Sequence, residues 1–369
     1  MMIMRRHRQW LFVTVLALVV TTSEVASQPE RSAFSYERWA DEVTRKGLDP
    51  ADVVYPFEAS PEMVAWAERV VDDARGSGER QQLARLQQAM FEGDAFDFAY
   101  DDARTLTARG AFSARRGNCL SFTALFVAMS RSVGIQTFLI EARRDPEVGR
   151  ENGLVIINRH VVAAYRSGGQ VSVYDFYLSS ASPFVSGLVV DDVRASAMFH
   201  ANMGSAALRG GDLEEALRNL EITTALTPDW SVGWVNLGVT LAHKGNVDGA
   251  FAAYRRALEI DMGNSSALNN MSYLYSSLGR GAEARVALRA AAQETESPFT
   301  LVAMADSEMQ LGNDSEAVGY LKEARRRYPR EPEVYMGKAR LAQRMEKPRR
   351  AERYLRKAER LARVDSGVR

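Results

Sequence analysis

The sequence predicts two structural units in series, an α+β domain and then an all-α solenoid, on three observations. A pattern of small and apolar residues returns every 34 residues, once with a single deletion, between residues 197 and 363. Ahead of it, residues 33–195 pass from helix-period segments to strand-type stretches joined by a two-glycine turn. Within that first region Cys119, the only cysteine of the chain, sits in a glycine-marked turn that runs into an apolar helix. At 369 residues, 46% apolar and 25% charged, the chain has material for more than one core. A formal net charge of zero argues against nucleic-acid binding by the whole chain, although acidic residues crowd 37–102 and basic ones 322–363.

The N-terminus reads as an export signal over residues 1–27. Arg5, Arg6 and Arg8 precede an apolar run from Trp10 to Val20, and Val25-Ala26-Ser27 supplies small residues before a mature start at Gln28. The run is short for a bilayer span, so no stable membrane span is expected, with an uncleaved anchor as the alternative. No cysteine follows it to take a lipid. The expected location is periplasmic or secreted, an oxidising place where a solitary thiol has no intramolecular partner.

In the first domain, Ser60-Pro61-Glu62 opens a helix carrying Met63, Trp66, Ala67 and Val70 on one face. A second helix is expected over Glu79–Phe91 and a short one near Arg104–Arg109. The chain then turns through Arg115-Arg116-Gly117-Asn118 into a helix from Cys119 to about Val133, ending at Gly134. Free N–H groups and the helix dipole stabilise an anion at such a helix start, so Cys119 has the position of a nucleophile whose backbone surroundings could also hold an oxyanion. The alternative is an inert, buried cysteine.

Strand-type residues follow over Leu154–Tyr165 and Val171–Tyr177, with Ser167-Gly168-Gly169-Gln170 as the hairpin turn. Pairing Ser167 with Gln170 and counting back sets Val162 opposite Asp175, which puts His160 on the same sheet face as Asp175, about 7–8 Å away by backbone spacing. A one-residue slip would separate them. Cys119, His160 and Asp175 are therefore the candidate catalytic residues: nucleophile, base and the carboxylate that orients it. Read singly, His160 is equally a half-buried structural histidine and Asp175 a strand-end carboxylate. His7, His200 and His243 have no metal-ligand company, and neither a cofactor nor a metal is expected.

The repeat is marked by Ala216, Ala250, Ala284, Ala317 and Ala351. Its surround is clearest in Trp234, Leu237, Gly238, Leu241, Ala250, Tyr254 and Ala257, with small residues at Gly238 and Ala250 where paired helices approach. Turns such as Lys244-Gly245-Asn246 separate the helices, and Arg350–Arg363 suits a polar end cap. These residues resemble the tetratricopeptide repeat in five units over 197–363, leaving 364–369 as a short tail. The resemblance implies a solenoid whose concave face docks a protein or peptide. The basic residues Arg325, Arg326, Arg327, Arg349, Arg350 and Arg353 are expected there, attracting an acidic segment, or else merely solvating the end of the array.

The first domain resembles the transglutaminase-like core family, a papain-related fold of cysteine acyl-transfer enzymes. The likeness rests on the glycine turn before Cys119, Arg131-Ser132-Val133-Gly134-Ile135, and strands carrying His160 and Asp175 in that order. Asn158-Arg159 ahead of the histidine and Val161 after it depart from the family pattern. The resemblance implies attack by Cys119 on a peptide or glutamine amide carbonyl, with a protein or peptide as substrate. Hydrolysis is favoured over crosslinking, since no second motif would hold a lysine. The alternative from a different class is an inactive head on a repeat scaffold that works by binding alone.

Overall fold

The computed structural model describes residues 35–72, 74, 76–91, 96–142, 147–151, 154–158, 160–175, 187–294 and 298–365. The expected export signal, residues 143–146, the strand end at Phe176 and Tyr177, and residues 366–369 of the tail lie outside them. Two compact units emerge: one holds residues up to 142 together with 160–199, the other holds 147–158 together with 200–365.

The first unit begins with α1 (Tyr36–Arg45), α2 (Pro61–Asp72) and α3 (Glu79–Phe91). Ser60 Oγ accepts from the Met63 N–H at 3.3 Å, so the expected cap sets the start of α2. Then come β1 (Ala99–Tyr100), α4 (Ala108–Ala114), β2 (Arg116–Gly117) and α5 (Cys119–Ser132). The short helix expected near Arg104–Arg109 instead lies at α4. Thr107 caps it by accepting from the Gly110 N–H. Residues 104 and 106 are occupied elsewhere: the Arg104 carbonyl accepts from the Asn118 N–H at 3.0 Å, and the Leu106 N–H donates to Ser121 Oγ at 2.7 Å.

Every residue of α5 from Leu120 to Ser130 is buried. An apolar helix without a polar face must be enclosed, and α2, α3, α4 and the sheet enclose it. It ends where expected, with Gly134 in the left-handed region at φ 84°.

The strands are β3 (Phe138–Ala142), β4 (Glu147–Glu151), β5 (Leu154–Asn158), β6 (Val161–Ser167), β7 (Gln170–Tyr174) and β8 (Gly187–Val190). Sheet order is β7-β6-β3-β8, with β3 antiparallel to both neighbours and β6 antiparallel to β7. Ser167 pairs with Gln170 as expected, and Gly168 and Gly169 both take positive φ, as the tight hairpin demands. The single strand expected over 154–165 is in fact two. Among the described residues β5 pairs only with β4, and β6 starts anew after His160, whose carbonyl accepts from the Ala142 N–H at 2.9 Å. The β4–β5 hairpin belongs to the second unit, where β5 packs on two repeat helices, α8 (Ser231–His243) and α10 (Ser265–Ser277).

The helix pairs of the second unit are α6 (Asp192–Gly210), whose residues up to Phe199 belong to the first unit, with α7 (Leu213–Leu226), α8 with α9 (Val247–Ile260), and α10 with α11 (Gly281–Glu294). They continue as α12 (Pro298–Gln310) with α13 (Asp314–Arg327), and α14 (Pro332–Arg344) with α15 (Pro348–Asp365). The marker alanines at 216, 250, 284, 317 and 351 are all buried. A Cβ on Gly238 would lie 2.4 Å from Cε1 of the fully buried Tyr254, so the close approach of α8 and α9 requires glycine there. His200 and His243 lie in these helices, and His200 Nδ1 is 2.8 Å from Asn219 Oδ1.

Candidate active site

The turn that delivers Cys119 is built by short polar side chains. Asn118 is the N-cap of α5: its Oδ1 accepts from the Ser121 N–H at 3.0 Å, and its Nδ2 donates to Thr105 Oγ1 at 2.7 Å. Both ends of that amide are thereby used, which gives Asn118 a capping role beside the thiol. Gly117 has φ 156°, and a Cβ there would lie 2.4 Å from Ser121 Cβ. Ser121 in turn ties the turn to Leu106, so the tight backbone before Cys119 depends on glycine at 117.

A helix leaves its first N–H groups outside the ladder. In α5 that of Ser121 is taken by Asn118, and that of Phe122 by the Asn118 carbonyl at 3.0 Å. Among the described residues, the N–H groups of Cys119 and Leu120 make no such bond. Cys119 itself is partly exposed and a free thiol.

Two tethers bring the strands to this helix end. Thr123, one turn beyond Cys119, donates to the Val161 carbonyl at 3.3 Å, next to His160. Gln87 of α3 donates from Nε2 to the backbone carbonyl of Asp175 at 2.9 Å. Phe126 of α5 stacks on Tyr174 with ring centroids 4.9 Å apart. The packing of α5 on β6 and β7 thus sets three separated positions around one point.

His160 Nε2 lies 2.9 Å from Asp175 Oδ2, with side chains only 11% and 14% exposed. Cys119 lies close enough to the His160 ring to act on its charge, and since Nε2 is engaged by Asp175, Nδ1 is the ring nitrogen left for the sulfur. Burial disfavours the imidazolium, but the Asp175 hydrogen bond and the charges of Asp175 and Cys119 outweigh it and lift His160 to about 10. The three candidate residues therefore come together, His160 bonded to Asp175 and within the electrostatic reach of Cys119. Gln87, Thr123 and Ser121 were not singled out from the sequence. A polar residue at a helix i+4 position from the cysteine could have flagged Thr123, whereas nothing local marks Gln87, 88 residues from its partner.

Arg131, from the Arg-x-x-Gly-Ile segment, has a structural place. It forks onto Asp192 at 2.9 and 3.1 Å, donates to the Thr137 carbonyl and lies over the Phe57 ring. That buried pair joins the end of α5 to the start of α6. Among the described residues, no group of three histidine, cysteine or acidic side chains could hold a metal ion.

Residues 64–174 match the family described as the transglutaminase-like superfamily, and residues 202–265 and 298–341 each match a tetratricopeptide repeat family. The heat shock protein sti1 homolog of Schizosaccharomyces pombe is 31% identical over 74 residues, which are 20% of this chain and 12% of that protein's length. Among solved structures, PilW, described as a widely conserved type IV pilus biogenesis factor, aligns with TM-score 0.39 and 19% identity over 45% of this chain and 77% of its own. PilF of Pseudomonas aeruginosa aligns with TM-score 0.39 and 22% identity over 47% and 85%.

Proposed function

We propose that this chain, which carries a transglutaminase-like domain followed by tetratricopeptide repeats, is an exported cysteine enzyme that cleaves amide bonds through a thioester. The observation that carries this reading is the His160–Asp175 pair beside Cys119 at a helix start. Cys119 Sγ attacks the carbonyl carbon of a peptide bond or a glutamine side-chain amide, and its proton resides on His160. The oxyanion that forms is within the chemistry of the free N–H groups of Cys119 and Leu120. His160 then gives the proton to the leaving amine, and the acyl group stays on sulfur as a thioester. Asp175 holds the ring and stabilises its positive charge throughout.

Water is the favoured acceptor of the acyl group. An amine competes only when a site holds it near the thioester while water is excluded, because proximity supplies much of the rate. Cys119 is partly exposed, which suits access by water. The repeats serve to bring a protein partner, and export to a periplasmic or extracellular place rests on the pattern of residues 1–27.

The second reading, a binding protein with an inactive head, is favoured by the repeat array, whose family works through protein contacts. Mass spectrometry of the mature protein after incubation with an envelope extract separates the two. An acyl adduct on Cys119 that is absent from His160→Ala, and that turns over to hydrolysed product, is the expected result. An unmodified Cys119 that alkylates no faster in the native protein than in urea would leave the binding reading.

A further inference from the structure

The basic residues that the sequence placed together on a concave face are separated by the structure into different environments. Arg326 and Arg327 are both committed to Glu323, whose carboxyl they hold down at about 2. The face made by first helices carries a groove of about 600 Å³ in which the cations are also compensated. There Arg340 forks onto Asp306 and reaches Glu333, and Arg344 meets Asp314. Arg325 and Arg353 lie elsewhere, in a cleft of about 500 Å³ between α13, α14 and α15, together with Lys357, Arg360, Tyr335 and Tyr354.

In this cleft most of the charges have no acidic partner among the described residues. Arg356 is paired with Glu352, but among the described residues no carboxylate pairs with Arg325, Arg353, Lys357 or Arg360. Along α15, Arg349, Arg353 and Lys357 follow one another at i,i+4, a spacing at which like charges destabilise a helix. The walls are fixed. Tyr335 is 3% exposed and donates its hydroxyl to the Pro329 carbonyl at 2.7 Å. Lys357 Nζ stands 4.2 Å from the Tyr335 ring centre, and Lys338 Nζ 5.1 Å from that of Tyr354. A locally unfavourable concentration of charge held on a rigid frame is the mark of a surface built for a ligand.

We infer that this second-helix cleft binds an acidic segment of a protein partner, with carboxylates received by Arg325, Arg353 and Arg360. From Arg353 to Arg360 the helix rises about 10 Å, which about four residues of extended chain cover at roughly 3.3 Å each. A run of about four residues rich in Asp and Glu therefore fits its length. A lipid surface fits less well: an interfacial helix needs an apolar face to bury. The buried alanines of α15, Ala351 and Ala358, face inward, and α15 contributes no exposed large apolar side chain among the described residues. This cleft does not depend on the chemistry assigned to Cys119.

The test uses the full chain and a fluorescent peptide, Gly-Asp-Glu-Asp-Glu-Gly, at 50 and 200 mM salt, against its Asn/Gln counterpart, inorganic phosphate and phosphatidylglycerol vesicles. The acidic peptide should bind and the Asn/Gln peptide should not, with affinity falling as salt rises. Joint replacement Arg353→Glu and Arg360→Glu should weaken binding about tenfold or more, while Arg326→Glu, the same kind of change outside the cleft, should alter it less than about twofold. Unchanged melting of both variants keeps the comparison valid. Equal loss in Arg326→Glu, tighter binding to the vesicles than to the peptide, displacement by phosphate at low millimolar concentration, or no binding at 50 mM salt would each overturn the assignment.

Discussion

Nε2 of His160 sits 2.9 Å from Oδ2 of Asp175, although His160 lies just outside β6 and Asp175 just beyond β7. Their meeting follows from the Ser167–Gln170 turn register carried to the far end of the hairpin, and from Ala142, which holds the His160 carbonyl. This places the imidazole between a carboxylate and the sulfur, and makes its protonation a property of the folded state.

Because the folded His160 is raised to about 10 from an ordinary value near 6.5, its protonated form stabilises the native state. That contribution is complete below about pH 6.5 and is lost as pH rises toward about 10. Because the proton on His160 is the one Cys119 gives up, the folded and unfolded chains hold equal numbers of protons between about pH 6.5 and 8.5, and unfolding free energy should fall by about 1.4 kcal/mol per pH unit only from about pH 8.5, where the unfolded thiol ionises, toward about 10. Urea titrations of the native protein and of His160→Gln check it: an equal slope in both would sink the assignment.

Asp175→Asn keeps the shape of the carboxylate but removes its charge. Acyl transfer, read as release of amine from a peptide substrate, should fall about 10²–10⁴-fold. The His160 titration, followed by NMR of the imidazole, should move down toward the ordinary range. A titration that stays in place would show that Asp175 does not hold the proton.

Gln87 supports the site from α3 through the Asp175 carbonyl. Gln87→Ala should lower the rate of Cys119 alkylation and of turnover about tenfold, with little change in melting temperature. Gln87→Glu should be worse than Gln87→Ala, because a carboxylate would then face a carbonyl oxygen. The reverse order would contradict the donated bond.

Gly117→Ala should both destabilise the first domain and slow thiol alkylation. Its methyl would strike Ser121 at 2.4 Å and displace the cap around Asn118, at a cost of about 1–3 kcal/mol. Thermal unfolding and the iodoacetamide rate report the two effects, and an unchanged rate would separate the turn from the thiol's activation.

In the repeats, Gly238→Ala should cost about 1–3 kcal/mol through contact with Tyr254, and Tyr254→Leu in the same chain should recover part of it. Tyr254→Phe alone should be neutral or stabilising, since the buried Tyr254 hydroxyl has no hydrogen-bond partner among the described residues. Denaturant melts of these proteins, the wild type and Tyr254→Leu alone decide it, and additive losses in the double variant would deny the contact.

The residue pattern by itself determined the periodic features. A helix pair that buries one stripe must repeat its small residues in phase, so Ala216, Ala250, Ala284, Ala317 and Ala351 announced the array, and all are buried. Two glycines in a short turn permit one hairpin register, which is why the approach of His160 and Asp175 could be counted from Ser167 and Gln170. A glycine before a cysteine at a helix start is equally local. What only the tertiary structure decided are relations across long stretches of chain: Gln87 reaching Asp175, the division of residues 154–165 between two sheets, and the sorting of the arginines. Arg325 and Arg326 are neighbours in sequence, yet one lines a cleft and the other pairs with Glu323. On a helix, adjacent side chains diverge by about 100°, so which of them finds an acid depends on what packs beside that face.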